Sequence, residues 1–167
     1  MEVTQTIFLR LATAVINTSV NSSGIALSSA GSPDHTDAER AITFLTRHIK
    51  LYNESVPAGT GSYNILHVRL ALDEALLNAL EHGCSRSPGA VQILFRLSPD
   101  VLEISVEDPG NGFAYSEIKF PSGKDVEALI ARGMNNPKGW GLAIVQSVCR
   151  DIFWNRLGNR ITLIFHP

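Results

Sequence analysis

Between Leu70 and Gly83 the chain reads LALDEALLNALEHG, and three polar residues, Glu74, Asn78 and His82, recur every four positions among apolar neighbours. That spacing stacks side chains on one side of a helix. A carboxylate and an amide one turn apart can do phosphate chemistry. The Asn78 amide oxygen is a neutral hard ligand, suited to Mg²⁺ that fills the rest of its shell with water and phosphate oxygens. Glu74, one turn earlier, can accept a proton from a hydroxyl or water attacking a terminal phosphate. The same two residues would also suit a solvated helix face, and this motif alone leaves the two readings level. His82, in the last turn before Gly83, is stabilised by the helix dipole without any chemical duty, and Glu81 reads as solvated.

Two further motifs follow in order. Asp108-Pro109-Gly110-Asn111-Gly112-Phe113 ends a strand-like run. A carboxylate there can accept the exocyclic amine of adenine, while Gly110 and Gly112 let the backbone approach a flat ring. The bland alternative is an Asx or glycine turn. Lys138-Gly139-Trp140-Gly141-Leu142 opens a helical run. Backbone N–H groups at a helix start attract phosphate, and Lys138 adds a point charge against a triphosphate. The spacing matches neither a Walker loop nor a dinucleotide fingerprint.

These motifs need elements to hold them. Residues 17 to 36 are rich in Ser, Asn and Gly around one apolar island, Gly24 to Leu27, so residues 1–35 read as a poorly defined lead-in holding an edge strand. The T-D-A-E run predicts a capping box with Thr36 as N-cap and Glu39 reaching back. Ile42, Leu45, Ile49 and Tyr52 mark the buried stripe of a first helix. Ile65, Leu66, Arg69, Leu72, Ala75, Leu76 and Ala79 mark a second, which Gly83 ends as a left-handed C-cap. After Pro88 and Gly89 the period drops to two, so VQILFRL and VLEISVE are strands joined in a hairpin at Ser98 to Asp100. Residues 114–138 lack a clean period, apart from a helical island near Val126 to Ala131, and read as a long connecting lid. A third helix, GLAIVQSVCR, precedes an antiparallel pair, DIFWNR and ITLIFH, turning at Leu157 to Arg160. The expected class is α+β: a single two-layer sandwich over residues 36–167, its mixed and mostly antiparallel sheet covered by helices on one face.

Composition narrows the partners. At 167 residues and 44% apolar content the chain suits one core. A net charge of −2 with intermixed signs gives no footprint for nucleic acid. Cys84 and Cys149 fit neither a metal-ligand spacing nor a disulfide scaffold, which suggests a reducing, cytoplasmic setting. No apolar run is long enough to span a bilayer, and IFLRLATAVINTSV, flanked by Glu2 and broken by Arg10 and Asn17, does not read as a secretory signal.

E-x-x-x-N on a helix, then D-x-G-x-G after a strand, then a lid ending in a basic residue and G-x-G-L, resembles the GHKL ATPases, whose nucleotide domain has the Bergerat fold. The form N-A-x-x-H-G looks like the anti-sigma-factor serine kinases within that superfamily. The resemblance covers about residues 36 to 167. It implies ATP and Mg²⁺ as ligands, Asn78 as the magnesium ligand and Glu74 as the general base. It implies that Asp108 reads adenine with Gly110 and Gly112 beneath the base, and that Lys138, Gly139, Gly141 and Leu142 lie at the phosphates. Thr162, on the last strand, matches a threonine near the adenine. Trp140 departs from the family, being larger than the usual residue between the two glycines.

About 73 residues precede Glu74, too few for a phosphoacceptor hairpin as well as the domain, and no transducer pattern follows it. The expectation is a standalone serine/threonine protein kinase. It would phosphorylate a serine of a small anti-anti-sigma-type protein, sequester a sigma factor or similar regulator, and pair as a homodimer, without nucleic acid or membrane. The competing expectation is a module that binds ATP, orders its lid and grips a partner without transferring phosphate.

Overall fold

The computed structural model describes residues 5–11, 23–27, 33–57, 61–87, 89–114 and 141–167. Its elements run β1 (Gln5–Leu11), β2 (Ser23–Leu27), α1 (His35–Ser55), α2 (Ile65–Asn78), a π-helical turn (Ala79–Cys84), β3 (Val91–Leu97), β4 (Leu102–Glu107), α3 (Gly141–Val148), β5 (Asp151–Trp154) and β6 (Arg160–Phe165). Among the described residues, six strands form one sheet in the order β2-β1-β3-β4-β6-β5. Only β1 and β2 pair in parallel; the other neighbours are antiparallel. The expected α+β class, with its mixed and mostly antiparallel sheet, is what the chain adopts.

The period-two pattern does what alternation requires. Ile93, Phe95 and Leu97 on β3 stand opposite Val106, Ile104 and Leu102 on β4, which stand opposite Ile161, Leu163 and Phe165 on β6. These side chains are buried and form one core with Ile42, Leu45 and Ile49 of α1 and Leu72, Ala75 and Leu76 of α2. Burying each large aliphatic chain stabilises the fold by roughly 1.5–3 kcal/mol. Helix α2 packs against both α1 and α3, so the motif-bearing helix is the middle element of its layer. The opposite sheet face carries Arg96 paired with Glu103 and Arg160 paired with Glu107. No described helix is long and apolar enough to cross a membrane.

Two helix ends differ from the expected caps. The N-cap of α1 is Asp34, not Thr36: its carboxylate accepts from the N–H groups of Thr36 (2.8 Å) and Asp37 (3.1 Å), and Asp37 answers by accepting from the Asp34 N–H. An equivalent box lies two residues upstream, and Asp is at least as good an N-cap as Thr. Glu39, freed from capping, pairs with Arg69 at 2.7 Å. The other displacement is at Gly83, which is no left-handed cap; the positive-φ glycines among the described residues are Gly112 and Gly158. The helix instead widens into the π turn, with the Ser85 N–H reaching the Leu80 carbonyl at 3.3 Å.

The expected edge strand near Gly24 to Leu27 is β2. Inside it lies β1, which the sequence reading did not anticipate and which pairs along its length with β3. The expected hairpin after β3 forms at Ser98, whose hydroxyl and N–H both donate to the Val101 carbonyl. The helical island near Val126 to Ala131 and the lid from residue 115 onward lie outside the described residues.

Candidate nucleotide site

The π turn decides what the second helix presents. In an α-helix the residue one turn beyond Asn78 would be His82; a π turn closes over five residues, and puts Gly83 there instead. His82 is accordingly exposed and Gly83 buried. Glu74, Asn78 and His82 therefore do not form one column: the first two do, and a bare Cα continues it.

That bare Cα faces Asp108. A Cβ built on Gly83 would collide with the Cβ, Cγ and Oδ1 of Asp108, and one on Gly110 would lie 2.7 Å from the same Oδ1. Strand β4 ends at Glu107, so Asp108 stands on the core face at the sheet's end, held by the helix on one side and its own turn on the other. Its Oδ1 accepts the Gly110 N–H at 2.7 Å. The Asx-turn alternative is thus true of the local geometry, and it still leaves Oδ2 as an acceptor. Burial raises the Asp108 pKa above the ordinary carboxylate range and Glu107 adds to the rise; the Gly110 hydrogen bond and nearby His82 oppose it.

At the other end of the column, Gly141 begins α3 against Glu74. A Cβ on Gly141 would collide with Glu74 Oε2, so the start of α3 and the carboxylate share one small space. The Glu74 pKa is raised by burial first, and then by the like charges of Asp73 and Glu81. The half-buried Asn78 amide has no hydrogen-bond partner among the described residues. An amide oxygen with no partner among the described residues, one turn from a carboxylate that meets the start of α3, fits a Mg²⁺ that is otherwise ligated by phosphate and water.

Of the residues singled out from sequence, the structure brings Glu74, Asn78, Asp108, Gly110 and Gly141 into this one stretch between α2, the end of β4 and the start of α3. Leu142 packs half-buried against the core beside them. Gly112 supports the loop from behind, against the Leu157 carbonyl. Lys138 and Gly139 lie outside the described residues. Thr162 is not brought to the group: alternation turns it to the opposite sheet face, where its hydroxyl bonds Ser105 at 2.8 Å. Ile161 takes the core face instead. Gly83 also belongs to the site: its visible signal, a glycine directly after the N-A-x-x-H run, equally suits a helix stop, and only its contact with Asp108 shows the difference. A hollow of about 270 Å³ lined by Asn64, His67, Arg150 and His166 lies at the opposite end of α2 and contains none of these residues.

Residues 35–165 match the family described as histidine kinase-like ATPase domain. Among similar proteins, the serine-protein kinase RsbW of Bacillus mycoides (strain KBAB4) is 32% identical over 90 residues, covering 51% of this chain and 52% of that protein. The proteins of the same name from Bacillus cereus (strain G9842) and Bacillus thuringiensis subsp. konkukian (strain 97-27) are each 31% identical over 94 residues, 53% of this chain and 55% of theirs. The chain thus spans about half the length of the curated relatives it matches. With a family match reaching from the first turn of α1 to the end of β6, the chain belongs to the histidine kinase-like ATPase domain family.

Proposed function

We propose that this chain is an ATP-dependent serine/threonine protein kinase of the anti-sigma type, which phosphorylates a small antagonist protein and sequesters a transcription-factor partner. The observation that carries the reading is the placement of the Glu74 carboxylate against the start of α3, with the Asn78 amide one turn away and Asp108 held against Gly83. Mere nucleotide binding needs an acceptor for adenine and a metal ligand. It does not need a carboxylate beside the phosphates.

Each residue has a part that its position allows. Asp108 accepts the adenine amine through the oxygen that Gly110 leaves free. Asn78 would hold Mg²⁺ through its amide oxygen, and the ion would supply charge neutralisation at the phosphate oxygens. The N–H groups opening α3, with Lys138 and Gly139 before them, receive the phosphates. As a serine Oγ of the partner protein attacks the terminal phosphorus, its proton passes to Glu74, the new O–P bond forms and ADP leaves. Burial and like-charged neighbours raise the Glu74 pKa, which makes it a better proton acceptor than an ordinary carboxylate.

The test is direct. With Mg-ATP at millimolar concentration the melting temperature rises, because the ligand binds the folded state alone. A captured partner then acquires phosphate on serine or threonine, read by phosphosite mapping of pull-downs made with and without ATP. A flat melting temperature across that range removes the nucleotide reading, whereas binding with no transfer to any captured partner leaves a nucleotide-responsive binding module.

A further inference from the structure

The turn between β5 and β6 takes no part in the chemistry proposed above, yet it is fastened to Asp108 by two hydrogen bonds. The Asp108 N–H donates to the Asn159 carbonyl at 3.0 Å, and the Asn159 side-chain amide donates back to the Asp108 carbonyl at 2.9 Å. Both backbone groups of the candidate adenine-reading residue are therefore held by one asparagine. Behind it stands Asn155, whose Oδ1 accepts from the N–H groups of Gly158 (2.8 Å), Asn159 (3.1 Å) and Arg160 (3.2 Å), and whose Nδ2 donates to Asn159 Oδ1 at 2.8 Å.

The loop beyond Asp108 is locked to the same turn. Gly112, at φ 71°, lies against the Leu157 carbonyl, and Gly158, at φ 81°, lies against the Phe113 carbonyl. Each glycine leaves the space the other backbone fills, so the two turns interlock. Phe113 completes the joint by meeting Trp154 edge-on at 6.4 Å. Asp108 is thus fixed from behind by β5–β6, from the side by Gly110 and from in front by Gly83.

We propose that Asn159, backed by Asn155, is a positioning residue that sets the adenine selectivity of this site. The inference rests on the reading of Asp108 as the adenine acceptor. A carboxylate oxygen accepts from the six-amino group of adenine and is repelled by a six-oxo purine, and this discrimination depends on where the oxygen stands. Without the Asn159 amide the Asp108 carbonyl loses its donor, and the backbone that aims the carboxylate keeps only the tie from its N–H to the Asn159 carbonyl. A residue that supported only the fold would affect both purines alike.

The experiment titrates the full chain with ADP and, separately, with inosine diphosphate, whose base has an oxo group in place of the amine. The unaltered chain prefers ADP. Asn159→Ala weakens ADP about tenfold and leaves inosine diphosphate unchanged, collapsing the ratio, as loss of one well-placed hydrogen bond allows. Asn159→Gln, which keeps an amide donor, restores part of the ratio, while Arg156→Ala, exposed in the same turn, changes neither affinity. Should Asn159→Ala fail to fold by circular dichroism, Asn155→Ala and Asn159→Gln decide, the first lowering the ratio more than the second. A folded Asn159→Ala that keeps the ratio, or loses both nucleotides equally, overturns the inference while leaving the kinase reading intact. An unaltered chain with no preference for ADP removes the Asp108 assignment and this inference with it.

Discussion

Replacing Gly83 by Ala tests whether Asp108 is held against α2 as described. In an ordinary helix the change would help, since Ala is favoured over Gly by about 1 kcal/mol. Here the new methyl falls on the Asp108 side chain, and Asp108 has nowhere to retreat. Its N–H and carbonyl are tied to Asn159 at 3.0 and 2.9 Å, and a carboxylate swung away abandons the Gly110 N–H. Overpacking costs about 1–3 kcal/mol, and loss of a hydrogen bond to a charged group costs up to about 3 kcal/mol more. Against the helical gain, the expected net loss is about 2 kcal/mol, or roughly 4–8 °C in melting temperature for a domain of this size. Because the displaced group is the proposed base reader, adenine-nucleotide affinity falls at least about tenfold as well. Thermal melts monitored by circular dichroism, with and without nucleotide, read both quantities. A Gly83→Ala chain at least as stable as the parent, with undiminished nucleotide affinity, would mean that propensity outweighs contact and that the Gly83–Asp108 packing is wrong.

Three other outcomes follow from the same structure. Glu74→Ala abolishes phosphate transfer by about 10²-fold or more, the usual scale for a general base, while nucleotide affinity changes less than about threefold; Asn78→Ala impairs both, and single-turnover transfer alongside nucleotide titration separates the two. Tyr63→Phe removes the 2.7 Å hydrogen bond to the Ser98 carbonyl and destabilises by about 1 kcal/mol in urea denaturation, without touching nucleotide binding. Glu74 and Asp108 both have raised folded-state pKa values, so the native state keeps protons that the unfolded chain has released. Stability without nucleotide therefore falls as pH rises from the ordinary carboxylate range through the raised pKa values. Glu74→Gln flattens part of that slope and is more stable than the parent at neutral pH, by a margin that shrinks on acidification; urea melts at pH 5 and pH 8 that show equal slopes for both chains would contradict it.

Periodicity is local information, and the sequence carried it plainly. The apolar stripe of α1, the helical run through Asn78, the alternation of β3, β4 and β6 and the order of the three motifs can all be read along the chain, because each depends on neighbours within a turn or a pleat. Asp108 at the end of a strand and Gly141 at the start of a helix follow from the same local rules. The N-cap of α1 slipped by two residues because two overlapping runs both satisfy the capping pattern, and only the buried position of Asp37 selects between them.

What the tertiary structure alone decided involves partners far apart in sequence. Thr162 looks suitable for a nucleotide site until the register with Ser105 turns it to the other face, since a strand's two faces differ only in what covers them. Gly83 reads as a helix stop until Asp108 arrives beside it, and the π turn is the geometry that lets the two meet. Asn159 reads as a turn residue, yet it holds Asp108 across a separation of 51 residues. Strand β1 has pairing partners on both sides, and nothing in its own seven residues names them. The sequence by itself determined that α1, α2 and α3 are helical and that β2 to β6 are extended, because those properties follow from the chain's own period and chemistry. Which of them share a space was settled only when the sheet register and the docking of α2 and α3 were fixed, because contact across a fold depends on closing long loops that no local pattern records.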